Sequence, residues 1–200
     1  MAKLTGIIPE QNFEKIRNRI GEILAEEIAE QFVLRPTEPE INATVFVERF
    51  TPFDKSEFPA VNVLLSSAEY NPITSVQDNG MYEFFIDVYT TGKNTGGIRG
   101  DSVSAQNLHK LLGICRSILR SPYYLTLGFV TPQIGHISVP TIQVMEPKNN
   151  QDATNTIWGR LVFKVLAPET SELQQTVNID SWKTQVKLNL TEKGYLYEKN

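Results

Sequence analysis

The sequence predicts an α+β fold: an antiparallel or mixed β-sheet of about five strands packed against two main helices, in the order α-β-β-β-α-β-β, with a C-terminal extension. Three observations lead there. Two long stretches repeat their apolar residues every three or four positions, as a helix buried along one stripe requires. Other stretches alternate β-branched and aromatic residues with polar ones, the period of a strand. The strand-like stretches come in adjacent runs, which favours antiparallel pairing. With 40% hydrophobic residues among 200, the chain can fill a core for one domain plus an arm.

The first helix is predicted from about Pro9 to Phe32. Its stripe is Phe13, Ile16, Ile20, Ile23, Leu24, Ile28 and Phe32. Pro9 suits a first helical turn, and Pro36 and Pro39 prevent continuation. Thr44–Phe50, Ala60–Glu69 and Met81–Thr90 are the next strands. In the last, Tyr82, Phe84, Ile86 and Val88 share one face, and Glu83, Phe85, Asp87 and Tyr89 share the other. Asn79-Gly80 between the second and third strands is a strong hairpin signal, because both residues tolerate positive φ.

A glycine-rich loop, Gly92 to Gly100, opens into a second helix from about Asp101 to Ser121, with Asp101 or Ser102 as its cap. Val103, Leu108, Leu111, Leu112, Cys115, Ile118 and Leu119 form its stripe, and Pro122 stops it. Two strands follow, Ile137–Met145 and Ile157–Leu166, joined by a polar turn at Asn149–Asp152. Pro140 demands an edge position or a bulge. Residues 1–168 form the α+β domain and 169–200 an arm, in which Val177, Ile179 and Trp182 are scattered anchors. Lys183–Leu190 alternates like one added strand, and Tyr195 and Tyr197 close the arm. That strand either pairs with another chain or folds back on its own sheet.

The formal charge of −4 leaves no overall electrostatic footprint for nucleic acid. One cysteine, Cys115, excludes an intrachain disulfide and a thiolate cage, and a reducing compartment is the simpler expectation. The N-terminus lacks the apolar core of a signal peptide, and no apolar run approaches a membrane span. The Asn42 and Asn189 N-x-T triplets therefore carry no glycosylation message.

No motif for catalysis, cofactor or metal survives scrutiny. His109 and His136 lack metal-ligand spacing, Cys115 falls on an apolar stripe, and no serine lies in a GxSxG elbow. The glycine-rich loop departs from both GxxxxGK[ST] and GxGxxG, and Asp101 at the cap would compete with an anion. Glu26-Glu27 and the Glu83/Asp87 pair read as solvated carboxylates. No enzymatic role, cofactor or metal is expected.

Charge placement says more. The first helix carries Lys15, Arg17 and Arg19 early and Glu22, Glu26, Glu27 and Glu30 late, against the helix dipole. Glu22, Glu26 and Glu30 repeat at i, i+4, a mild self-repulsion. From Thr91 to Val130, Lys93, Arg99, Lys110, Arg116 and Arg120 face one acid, Asp101, and five minus one leaves +4. Either the acidic part of one subunit meets the basic part of the next, or the charges pair within one subunit. The candidate interface set is Glu22, Glu26, Glu30, Lys93, Arg99, Arg116, Arg120 and Trp182.

The stretches FEKIRNRIGEILAEEI, FPAVNVLLSSAEY, MYEFFIDVYTTG, SAQNLHKLLGICRSIL and IWGRLVFKVLAPE, in this order, resemble the bacteriophage tail terminator family, over roughly residues 10–168. Neck and tail-completion proteins of neighbouring families share much of this fold. The resemblance implies a structural virion protein, assembled in the host cytoplasm, that forms a homo-oligomeric ring of six. Such a ring caps the tail tube, joins it to the head-side connector of the neck, and in contractile tails touches the sheath. DNA passes through without sequence readout. The tail after Pro168 departs from the shortest family members and leaves open a further role as a sheath or collar contact. The alternative of a different class is a small-ligand-binding or enzymatic α+β domain.

Overall fold

Five strands form one sheet in the order β1-β2-β3-β5-β4, where β1 is Thr44–Val47, β2 Ala60–Pro72, β3 Gln77–Thr91, β4 His136–Met145 and β5 Thr156–Thr170. Helices α1 (Asn12–Leu34) and α2 (Gly100–Leu119) complete the α-β-β-β-α-β-β order. This computed structural model describes residues 7–74, 77–94, 97–130, 133–145, 156–170, 182–186 and 195–199. The sheet and both helices belong to one compact unit, Ile8–Ser171.

Both helices cover the same sheet face. Ile16, Ile20, Ile23, Leu24 and Ile28 of α1 join Leu108, Leu111, Leu112, Cys115, Ile118 and Leu119 of α2 in one buried cluster. The cluster continues into Val61, Val63, Tyr82, Phe84, Ile86, Val88, Leu161, Phe163 and Val165 of the sheet. The predicted stripes thus form the core, with Phe13, Phe32 and Val103 only half-buried at their margins. Ser104 takes the buried place beside Val103, because Thr90 Oγ1 donates to the Ser104 carbonyl at 2.9 Å and the Ser104 hydroxyl to the Thr90 carbonyl at 3.2 Å. Lys110, midway along α2, bonds Glu38 and Glu40 just past α1, and Tyr124, just past α2, bonds Glu27 within α1. The helices therefore run antiparallel.

Several boundaries shift for local reasons. Pro9 precedes α1 rather than opening it; Gln11 is the N-cap, and its N–H donates to the Glu14 carboxylate at 2.9 Å. Neither Asp101 nor Ser102 caps α2. Arg99 is the extended N-cap residue, and the Gly100 N–H donates to Asn94 Oδ1 at 2.6 Å. The Asp101 carboxylate accepts from the Ser102 N–H inside the first turn.

Asn79-Gly80 is not a turn. Both residues lie inside β3, opposite Asn71 and Tyr70 of β2, and the chain reverses between Pro72 and Gln77. Gly80 serves a neighbour instead: a Cβ there would come within 2.1 Å of the Tyr82 hydroxyl oxygen. The first strand also departs from expectation. It ends at Val47, because Glu48 adopts φ 53°, and it pairs parallel with β2 through Thr44↔Ala60 to Val47↔Val63. Residues 48–59 carry the chain back to start β2 at the same end as β1, a connection of about the dozen residues that parallel pairing needs.

Pro140 lies on the edge strand β4, at a register irregularity between Ser138 and Thr141, as its missing N–H demands. Pro168, where the sequence ended the domain, pairs with Asn79 inside β5, and the strand runs on to Thr170. The expected turn at Asn149–Asp152 lies outside the described residues, as do Val177 and Ile179. A second unit holds β6 (Trp182–Val186) and β7 (Tyr195–Lys199), which pair antiparallel as their own two-stranded sheet. The arm strand expected over Lys183–Leu190 thus starts one residue earlier and pairs with Tyr195–Lys199; residues 187–190 lie outside the described ones.

Candidate functional site

The acidic residues Glu22, Glu26 and Glu30 are exposed along α1. Glu22 pairs with Arg19 at 2.9 Å, and Arg19 also donates to the Leu127 carbonyl. Glu27, read from sequence as solvated, instead accepts from the Tyr124 hydroxyl. That bond, then burial, raises the Tyr124 pKa above its ordinary value.

The basic residues divide between the two ends of α2. Lys93 and Arg99 precede it and Arg116 and Arg120 end it, so Arg99 and Arg116 are about 25 Å apart along the axis. Arg120 donates to the Ile137 carbonyl at 3.2 Å. Lys110 lies between the ends, bonding Glu40 at 2.7 Å and Glu38 at 2.9 Å, and these two carboxylates raise its pKa. Of the two arrangements the sequence left open, Lys110 follows the second: its charge is paired within one subunit, through acids beyond the first helix. Trp182 is the first residue of β6, in the second unit.

The second sheet face carries an ion pair that the sequence reading took for solvated carboxylate. Asp87 is only 2% exposed and accepts two hydrogen bonds from Arg160, at 2.7 and 2.8 Å. The register Asp87↔Arg160 brings them together, and the guanidinium lies 3.8 Å from the Phe85 ring centroid. Glu83 pairs with Lys164 at 2.8 Å, four residues along the same two strands. Beyond the pair, Tyr89 stacks on Trp158 and continues into Phe58 and Phe53 of the 48–59 connection. Arg49, bonded to Glu57 at 2.6 Å, covers Phe46 and Phe53. These polar groups satisfy one another and hold the connection against the sheet.

A cavity of about 610 Å³ opens between α1 and α2, a feature that no sequence pattern had indicated. Glu27 lines it from α1 and Arg35 from just past that helix, Lys110 and Ile114 from α2, and Tyr123 and Tyr124 from the turn that follows. Gly113 is part of its lining. The available signal was a glycine inside the LLGICRS stretch of a good helix, which lowers helix stability without local reason.

His109 and His136 are both exposed. Cys115 is fully buried, and burial pushes its thiol up to about 12, far from a reactive thiolate. Among the described residues no group of three or more His, Cys, Asp or Glu could hold a metal ion, and no helix is long and apolar enough to cross a membrane. The chain matches no protein-family model and no curated protein.

Proposed function

We propose that this chain is a structural, non-catalytic virion protein similar to phage tail terminators: a ring subunit that caps a tail tube and joins it to the head-side neck. The observation that carries the reading is the α-β-β-β-α-β-β order, with both helices on one sheet face and a separate C-terminal unit. The acidic ridge of α1 and the basic ends of α2 support head-to-tail contacts between copies. The partners are further copies of the chain in a ring of six, the tail tube protein, the connector, and the sheath where the tail contracts. Other neck, head–tail completion or collar proteins are the near alternative.

Mass photometry and negative-stain electron microscopy of the full chain, alone and with its tail tube protein, test this. A ring with a central channel is expected in at least one condition; a monomer in both sinks the reading. Reversing Glu26 and Glu30 to lysine should weaken assembly at low salt and less so at high salt. An unchanged oligomer mass removes these charges from the interface. A second reading, a small-ligand-binding domain, draws on the inter-helix cavity, whose volume is that of ordinary ligand sites. A monomer whose melting midpoint rises with a small molecule would favour it.

A further inference from the structure

We propose that the groove between α1 and α2 receives the Phe50 loop of a second copy of this chain, so that subunits join head to tail. The inference rests on the ring-subunit reading.

The α2 wall of the groove carries a residue with no side chain, Gly113. Glycine inside a helix is unfavourable, and it persists where close approach requires it. Gly21 in α1 has such a reason within the subunit, since a Cβ would come within 2.5 Å of Val47, and so does Gly159 in strand β5, where a Cβ would come within 2.9 Å of Leu112. At Gly113 a Cβ would meet nothing within 4 Å. None of the described residues fills that space, which fits an incoming group that approaches the α2 backbone. Half-buried Ile114 offers it apolar surface, and Tyr123, 89% exposed, is a further part of the lining.

Phe50 is the matching knob. It is 80% exposed, although Phe46, Phe53 and Phe58 cluster close by. The backbone that presents it is held from several sides. Glu48, at φ 53°, donates its N–H to the Val63 carbonyl at 2.9 Å, and its carboxylate accepts from the Leu65 N–H at 2.8 Å. The Asn62 side chain bonds both the N–H and the carbonyl of Arg49, at 3.2 and 2.7 Å. An aromatic side chain on so constrained a mount loses little freedom on binding, the property of an interface anchor.

Knob and groove are different surfaces, one past the end of β1 and the other between the helices. Contact between them is therefore heterologous, the kind that closes rings. One opposite pair of charges is available to the contact: exposed Asp54 follows Phe50 on the loop, and exposed Arg35 lines the groove, where Lys110 is held by Glu38 and Glu40 and Glu27 by Tyr124.

The test compares the wild-type full chain with Phe50→Ser and Gly113→Gln by mass photometry, with circular dichroism to check folding. Each variant alone should lose the oligomer, with at least about tenfold weaker assembly. Mixed together they should form a two-subunit complex, because the G113Q chain keeps its Phe50 and the F50S chain keeps its groove. A wild-type oligomer that persists in both folded variants, or a mixture that stays monomeric, overturns this contact and leaves the ring reading standing. A wild-type chain monomeric at every concentration, with or without the tube protein, overturns both.

Discussion

Glu169 is 8% exposed, and its carboxylate accepts from the Tyr82 hydroxyl and from the Asn12 N–H at the start of α1. Burial, then the bond to Glu169, raises the Tyr82 pKa well above its ordinary value. Tyr82→Phe removes one donor from a buried carboxylate and should cost about 1–3 kcal/mol in urea denaturation. Gly80→Ala should displace the same ring, since the new Cβ would overlap it. The two substitutions share one loss, so the double variant should cost less than their sum; strict additivity would separate Gly80 from the Tyr82–Glu169 bond. None of this was legible in the sequence. Asn79-Gly80 carries the same local signal in a hairpin turn as in a strand that must clear a tyrosine ring, and Glu169 looked like the beginning of an arm. Cys115 was legible, because a cysteine on an apolar helical stripe needs no knowledge of its partners.

Asp87 and Arg160 join β3 to its neighbour β5 on the second sheet face. Arg160→Met would leave a buried carboxylate without its cation. The expected loss is about 3 kcal/mol, at the lower end for a buried pair because Arg160 keeps some contact with solvent. Replacing both residues, Asp87→Leu with Arg160→Met, should recover most of that loss, as chemical denaturation of the three variants would report. A double variant as unstable as Arg160→Met alone would refute the argument. At this scale the sequence was informative about periods and poor about partners. The alternation of β3 assigned its faces correctly, and Pro140 correctly marked an edge. The alternation could not say that Asp87 would meet Arg160, which lies seventy-three residues away. Nor could it say that β1 would run parallel to β2, since that depends on the path of residues 48–59.

Across the whole molecule, stability should fall in acid. Hydrogen bonds from Arg49 hold the Glu57 pKa below its ordinary value, and Lys164 does the same for Glu83. Burial pushes Glu40 up, but the Lys110 hydrogen bond and a backbone bond outweigh it, so its pKa also falls. A carboxylate with a depressed folded pKa contributes stability that is complete above its unfolded value, near 4.5, and is lost as pH falls through the folded one. The urea midpoint should therefore hold steady from about pH 7 to pH 5.5 and drop toward pH 3. A midpoint unchanged at pH 3 would mean that these ion pairs do not stabilise the fold.

The sequence by itself determined the α+β class, both helical stripes, the buried face of β3, the edge position of β4 and the inertness of Cys115. Each follows from a period or a backbone restriction that a short stretch of chain carries on its own. Tertiary structure decided the direction of β1, the site of the β2–β3 reversal, the partner of the arm strand and the division of the basic residues between the ends of α2. It also decided that a groove opens at Gly113 and that Phe50 stands clear of its aromatic neighbours. These depend on which distant segments come to lie side by side, and packing alone selects that.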